Sequence, residues 1–266
     1  MKVLAVDGNP STCLGSAGML LGSFLDGISS AGAEIQLLKA DKLKINPCTA
    51  ELDCWLVSPG YCRQQDSMND LYPDLLQADI WVFATPVQGH RMAGTVQNFL
   101  DRTLPLAIPN LEIRDGHSRH GLRYSAKQGK VVFIAGCELW ERDSLDAAVA
   151  HVQATCQTLG REFAGALLRP HDWILRVRRG PALDQVLASA REAGQQLATK
   201  GAIAPETLAA VSQDLIGLDD SVRAFNELLE NEFTASMAGS CIYRWPASFR
   251  QARRKGFLSR IISARA

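Results

Sequence analysis

Five apolar runs of strand length, Val3–Val6, Ile35–Leu38, Ile80–Ala84, Val131–Ala135 and Arg161–Leu167, are separated by segments whose apolar residues fall at helical spacing. This alternation constrains the chain more than any other feature. Strands that are apolar along their length are covered on both faces, and a strand followed by a helix returns as a parallel strand through a right-handed crossover. Helices are expected at Ser16–Ala31, where Met19, Leu20, Phe24 and Ile28 share a face, and at Ser67–Gln77, Gly94–Thr103, Asp143–Leu159 and Leu183–Lys200. The expected fold is therefore α/β, a doubly wound five-stranded parallel sheet in the order 2-1-3-4-5. It occupies residues 1–200, and residues 201–266 form a helical C-terminal extension.

Two connections exceed a simple turn, 39–66 after the second strand and 104–129 before the fourth. Beyond Gly201 the rhythm stops; Asp219–Phe233 sets Val222, Phe225, Leu228, Leu229 and Phe233 on one helical stripe, a face suited to packing on the sheet domain or on a second copy. A homo-oligomer, dimer or tetramer, is expected. From Cys241 to Ala266 there are seven Lys and Arg and no acidic residue. Over the whole chain 28 basic residues balance 28 acidic ones, so charge supplies no case for nucleic acid, and membrane contact through the basic tail is the less favoured reading. No apolar run approaches the roughly 20 residues that span a bilayer, and the first residues already read as a strand, so a cytoplasmic protein is expected. Seven cysteines suit free thiols, metal ligands or core positions better than a disulfide framework.

Chemistry concentrates in the loops after the first, third and fourth strands. The first, Asp7-Gly8-Asn9-Pro10-Ser11-Thr12-Cys13-Leu14-Gly15-Ser16, offers glycines, hydroxyls and the N–H groups of a helix start, which is how an anion site is built without a cationic side chain. It has neither the glycine spacing of a dinucleotide loop nor the Lys of a triphosphate loop. The second, Thr85-Pro86-Val87-Gln88-Gly89-His90-Arg91-Met92-Ala93-Gly94, is longer than the usual two to six or so residues of such a connection. The third is Gly136-Cys137-Glu138-Leu139-Trp140. All three fall on the carboxyl edge at the switch point of the sheet, where folds of this order hold FMN.

With these residues the chain resembles the NAD(P)H-dependent FMN reductases and iron–sulfur flavoproteins of the flavodoxin-like superfamily. The carrying motifs are Gly8-Asn9-Pro10-Ser11 with Gly15-Ser16, Pro47-Cys48 with Cys54, Cys62 and Asp66-Ser67-Met68, and Thr85-Pro86-Val87-Gln88 with Gly94 and Gln97-Asn98-Phe99-Leu100-Asp101-Arg102; together they cover about residues 1–170. The resemblance implies a flavodoxin-like fold and an FMN whose phosphate lies at Asn9, Ser11 and Ser16. It implies ribityl and ring contacts at Pro86, Val87, Gln88, Gly89 and Gly136, with Cys137 beside the ring. Where the family has Arg in the first loop this chain has Ser11, and where it has an aromatic residue after Pro-Val this chain has Gln88. Cys48, Cys54 and Cys62 are the candidate metal ligands for an iron–sulfur cluster, but the remaining position of the pattern is Glu51, and a metal-free loop is the preferred alternative.

The implied function is an oxidoreductase that takes hydride from NAD(P)H onto FMN and reduces a quinone, a flavin or another small-molecule acceptor. An FMN-binding electron carrier or redox sensor is the alternative, and a flavin-free interaction module a third reading. No residue is assigned as general acid or base, because hydride transfer to the cofactor needs none. Asp101 and Arg102 read as structural. Arg114, His117, Arg119, His120 and Arg123 gather cations in the second insert, either for an anionic ligand or as a solvated loop.

Overall fold

The computed structural model describes residues 1–10, 15–123, 129–177 and 180–237. In chain order the strands are β1 (Lys2–Asp7), β2 (Glu34–Lys39), β3 (Ile80–Gln88), β4 (Arg91–Met92), β5 (Ala107–Arg114), β6 (His117–Leu122), β7 (Lys130–Gly136) and β8 (Glu162–Arg169). Five of them pair in parallel in the order β2-β1-β3-β7-β8, which is the expected topology with three short additions between the third and fourth parallel strands. The helices are α1 (Ser16–Ser30), α2 (Asp53–Leu56), α3 (Ser67–Gln77), α4 (Gly94–Asp101), α5 (Asp146–Thr158), α6 (Ile174–Val177), α7 (Pro181–Lys200), α8 (Pro205–Val211) and α9 (Leu218–Met237).

Strand periodicity sorts the core. Leu4 and Val6, Trp81 and Phe83, and Val131 and Phe133 join one buried cluster with Met68, Leu71 and Leu75 of α3, Val96 and Phe99 of α4, and Val152 of α5. Their neighbours in sequence, Val3, Ala5, Val82, Val132 and Ile134, are buried as well, as the period of two requires of a sheet covered on both faces. Along the other layer α1 packs on α7 through glycines. A Cβ at Gly27 would collide with the Arg191 carbonyl oxygen, and one at Gly194 with that of Phe24, so both positions admit only hydrogen at this separation.

The third and fifth parallel strands differ from the sequence reading. β3 continues past Ala84 to Gln88 because Val87 and Gln88 pair with Met92 and Arg91 of β4 across a two-residue turn, Gly89 and His90, both at positive φ. Such turns match the twist of the strands they join. Arg161 precedes β8: its guanidinium donates to the carbonyls of Ala78 and Asp79 and lies 4.0 Å over the Trp81 ring. The second insert is an antiparallel hairpin, β5 with β6, turning at Asp115-Gly116, again both at positive φ.

The sheet unit extends beyond residue 200. Buried Arg169, at the end of β8, donates to the carbonyls of Pro170, Val211 and Gln213, so α8 and the turn after it stay with the sheet and the first compact unit is Met1–Leu215. The second unit is Ile216–Ala266 and contains α9; the basic tail lies outside the described residues. Among the described residues no helix is long and apolar enough to cross a membrane.

Candidate active site

Register brings the loops to one edge. Asp7 of β1 pairs with Ala84 of β3, Pro86 of β3 with Gly136 of β7, and Gly136 with Arg169 of β8, so four strands end side by side. The first loop leaves this edge through Gly8, whose N–H reaches the Ala84 carbonyl at 2.7 Å. Buried Asp7 then accepts from the backbone N–H of Asn9 at 2.9 Å and from its side-chain amide at 2.6 Å, and pairs with Lys39 from the end of β2. Asn9 is thereby fixed at the mouth of the loop. Ser11 and Cys13 lie outside the described residues. α1 starts behind Gly15, which has no side chain to cap it, and its first turn carries no acidic residue. N–H groups left open at a helix start suit an anion such as a phosphate ester.

Ser16 is buried, and its hydroxyl donates to the carboxylate of Asp172, three residues past β8. The same carboxylate fills the space beside Gly136, where a Cβ would lie 2.6 Å from Asp172 Oδ2 and 2.8 Å from Ser16 Oγ. Backbone bonds hold this corner: Cys137 N–H to the Arg169 carbonyl at 3.1 Å, Asp172 N–H to that of Cys137 at 2.9 Å, and His171 N–H to that of Leu139 at 2.7 Å. Burial first, and then the Asp172 charge, push the Cys137 thiol up to about 12, so it stays protonated near neutrality and is no nucleophile. Burial and the adjacent Arg169 push His171 down to about 4, leaving a neutral imidazole whose Nε2 faces the Arg169 guanidinium at 3.0 Å.

The Pro86 to His90 segment projects from the same edge as a hairpin. Pro86 is half-buried and Val87 buried, whereas Gln88, Gly89, His90 and Arg91 are exposed on the rim. The His90 ring stands 3.1 Å from the Ser144 carbonyl, and Ala93 N–H is held by Thr85 Oγ1 at 2.9 Å, tying the start of α4 to β3. The expected cofactor residues thus divide. Asn9, Ser16, Gly136 and Cys137 line the edge, with Pro86 and Val87 beside them, and Gln88 and Gly89 reach outward.

A sequence model of the NADPH-dependent FMN reductase family matches residues 1–160 of the 266. The chain belongs to that family. An iron-sulfur flavoprotein of Archaeoglobus fulgidus is 30% identical over 105 residues, covering 40% of this chain and 46% of that protein. One from Methanocaldococcus jannaschii is 26% identical over 116 residues, covering 44% and 57%. This FMN reductase family member therefore spans about half the length of the curated relatives it matches. Among solved structures it is similar in fold to azoreductase AzrA, with a TM-score of 0.55 at 15% identity over 75% of this chain and 100% of that one. The NAD(P)H:quinone oxidoreductase of Methanothermobacter marburgensis gives 0.53 at 15% identity over 74% and 96%.

In this FMN reductase family member the cysteine loop brings Cys62 and Cys48 near enough to Cys54 to add to the effect of burial in pushing its thiol upward. Cys48 is exposed while Cys54 and Cys62 are buried, and Glu51, at the remaining position, accepts a hydrogen bond from Thr49. Among the described residues no three His, Cys, Asp or Glu side chains are already arranged as a metal site. Protein contacts organise the loop. Buried Arg102 forks onto Asp66 at 2.6 and 3.1 Å and donates to the Asn46 carbonyl at 2.8 Å. Trp55 donates to the Leu104 carbonyl and packs 4.6 Å from the His120 ring of the hairpin. Reconstitution without oxygen is expected to load less than about one cluster per chain, since clusters ordinarily take four thiolates. Stoichiometric iron and sulfide, lost in Cys54→Ala, would overturn this.

The cations of the second insert are already engaged. Arg114 pairs with Glu112 and donates to the Gln157 and His120 carbonyls, Arg119 donates to the Gln157 side chain, and Arg123 donates to the carbonyls of Pro105 and Ala107. They staple the hairpin to α5 and to its own base. Sequence reasoning missed Lys39 and Asp172. The one signal for Asp172 was positional, because the topology sets the segment after the fifth parallel strand beside the end of the fourth.

Proposed function

We propose that the chain is an FMN-dependent oxidoreductase that takes hydride from NAD(P)H and reduces a quinone, a free flavin or another small-molecule acceptor. The observation that carries this reading is the meeting of the first loop, Pro86 and the Gly136 turn at one sheet edge, at the switch between β1 and β3. Membership of the NADPH-dependent FMN reductase family supports the same assignment. FMN supplies the redox chemistry, accepting a hydride and releasing electrons onward.

The residues bind and orient. The first-turn N–H groups of α1, with Asn9 and Ser11, take the phosphate; Pro86 and Val87 supply an apolar wall; Gly136 and Cys137 line the floor; Gln88 and Gly89 border the open side. Hydride transfer requires no proton-moving side chain, which accords with a Cys137 held as a protonated thiol and a neutral His171. An exposed rim at His90 and Arg91 suits small acceptors that enter and leave from solvent. Neither nucleic acid nor membrane is assigned as a partner, and the protein is assigned to the cytoplasm as a homo-oligomer, dimer or tetramer. The stripe of Val222, Phe225, Leu228 and Leu229 is the face proposed for a second copy.

Purified protein is expected to be yellow, and anaerobic NADPH to bleach its visible absorbance until a quinone restores it. Yellow protein that NADPH leaves unchanged would make it a carrier. Colourless protein that ignores added FMN would remove the flavin assignment altogether.

A further inference from the structure

Two residues expected to face the cofactor, Ser16 and Gly136, are both met by Asp172. A serine hydroxyl has one proton to donate, and that of Ser16 goes to the Asp172 carboxylate. None is left for a phosphate oxygen. The missing Cβ of Gly136 leaves room for the same carboxylate, 2.6 Å from where that atom would stand. Asp172 is held in place by its own N–H on the Cys137 carbonyl, one residue past the β7 strand that pairs with β8. An anion therefore lies against the first residue of α1, where the helix dipole and open N–H groups favour negative charge.

We propose that Asp172 is a specificity residue, a built-in anion that competes with a ligand's phosphate for the start of α1, so that flavin is held mainly through its ribityl chain and ring. This rests on the reading that FMN binds at this edge. In a site without such a residue the phosphate gains a charge-assisted bond from the serine and the undivided attraction of the helix start. Here both are shared with the protein's own carboxylate. Asp172 is thus a positioning residue for Ser16 and a discriminator between phosphorylated and unphosphorylated flavins.

The test compares FMN with riboflavin, which lacks the phosphate, on the full chain stripped of flavin, with dissociation constants read from quenching of flavin fluorescence. Wild-type protein is expected to prefer FMN by less than about tenfold, because one charged hydrogen bond is worth about that factor or more. Asp172→Asn and Asp172→Ala should each raise the preference at least about tenfold, by tightening FMN while leaving riboflavin unchanged. A role in packing alone would weaken both flavins together. Parallel weakening, or an unaltered ratio in the variants, would overturn the proposal and leave the FMN assignment standing. If wild-type protein binds neither flavin, the assignment and the proposal fall together.

Discussion

Ser16→Asp is expected to strip the flavin from the protein. The position is buried at the first turn of α1, and its side chain already touches Asp172. A second carboxylate there faces both Asp172 and the phosphate. Two unit charges about 4 Å apart at an effective dielectric near 20 repel by about 4 kcal/mol, a loss of up to roughly a thousandfold for FMN whose phosphate stays at the start of α1. Ser16→Ala, which adds no charge, is the control and should keep most of its flavin. The measurement is the ratio of flavin to protein absorbance after gel filtration, with thermal unfolding to establish that the variant is folded. Wild-type stoichiometry in Ser16→Asp would mean that the phosphate lies elsewhere.

The second large effect is on stability. Arg102 and Asp66 are side-chain buried to 1% and 3% exposure, and Asp66 also caps α3 by accepting Met68 N–H at 3.1 Å. Removing one member leaves the other charged and unpaired in the interior, so Arg102→Ala should cost about 3–5 kcal/mol by urea unfolding. Arg102→Lys should recover little, because an ammonium cannot reproduce the fork. The pair also sets an acid limit. Burial pushes the Asp66 carboxyl upward, but the Arg102 fork and the N–H groups of Asn46 and Met68 outweigh it, and the net value falls below the ordinary 3.8. The unfolded chain then binds the proton more tightly than the folded one. This contribution is complete above the ordinary value and is lost as pH falls through the lower folded value. Arg102→Ala should therefore show a shallower loss of stability in that acid range than wild type, and an identical slope would refute the linkage.

Arg102 illustrates what the sequence disclosed and what it withheld. Its place at the end of a helix read as structural, and the structure gives it that role, yet the residue it serves lies 36 positions away. Periodicity is a local signal. It revealed the five parallel strands and all the principal helices to within a few residues, because burial on both faces writes itself into consecutive side chains; the order of the strands came from the fold class and not from periodicity. The two positive-φ turns were less visible. Asp115-Gly116 is a recognised hairpin signal, but Pro109 interrupts the alternation of β5, and β6 is polar and cationic, so the pair lacks the sustained pattern that would have marked both as strands. Ser16 and Gly136 were legible from their loops as candidate site residues, and the structure sets both against Asp172. Asp172 was not, since a lone carboxylate after a strand acquires meaning only from the side chains that two other loops bring to it.

The glycine crossing of α1 on α7 gives the cofactor edge a remote adjustment screw. From Gly27 to Ser16 is about 16 Å along the helix, and the close approach at Gly27 and Gly194 fixes how α1 lies against α7. Any side chain at Gly27 would lift that end and swing the other, tilting the row of N–H groups away from the sheet without touching a single residue of the edge. The alignment of that edge is thus set in a layer of the molecule about three helical turns away, where drift in sequence would register as lost affinity with every residue of the edge intact.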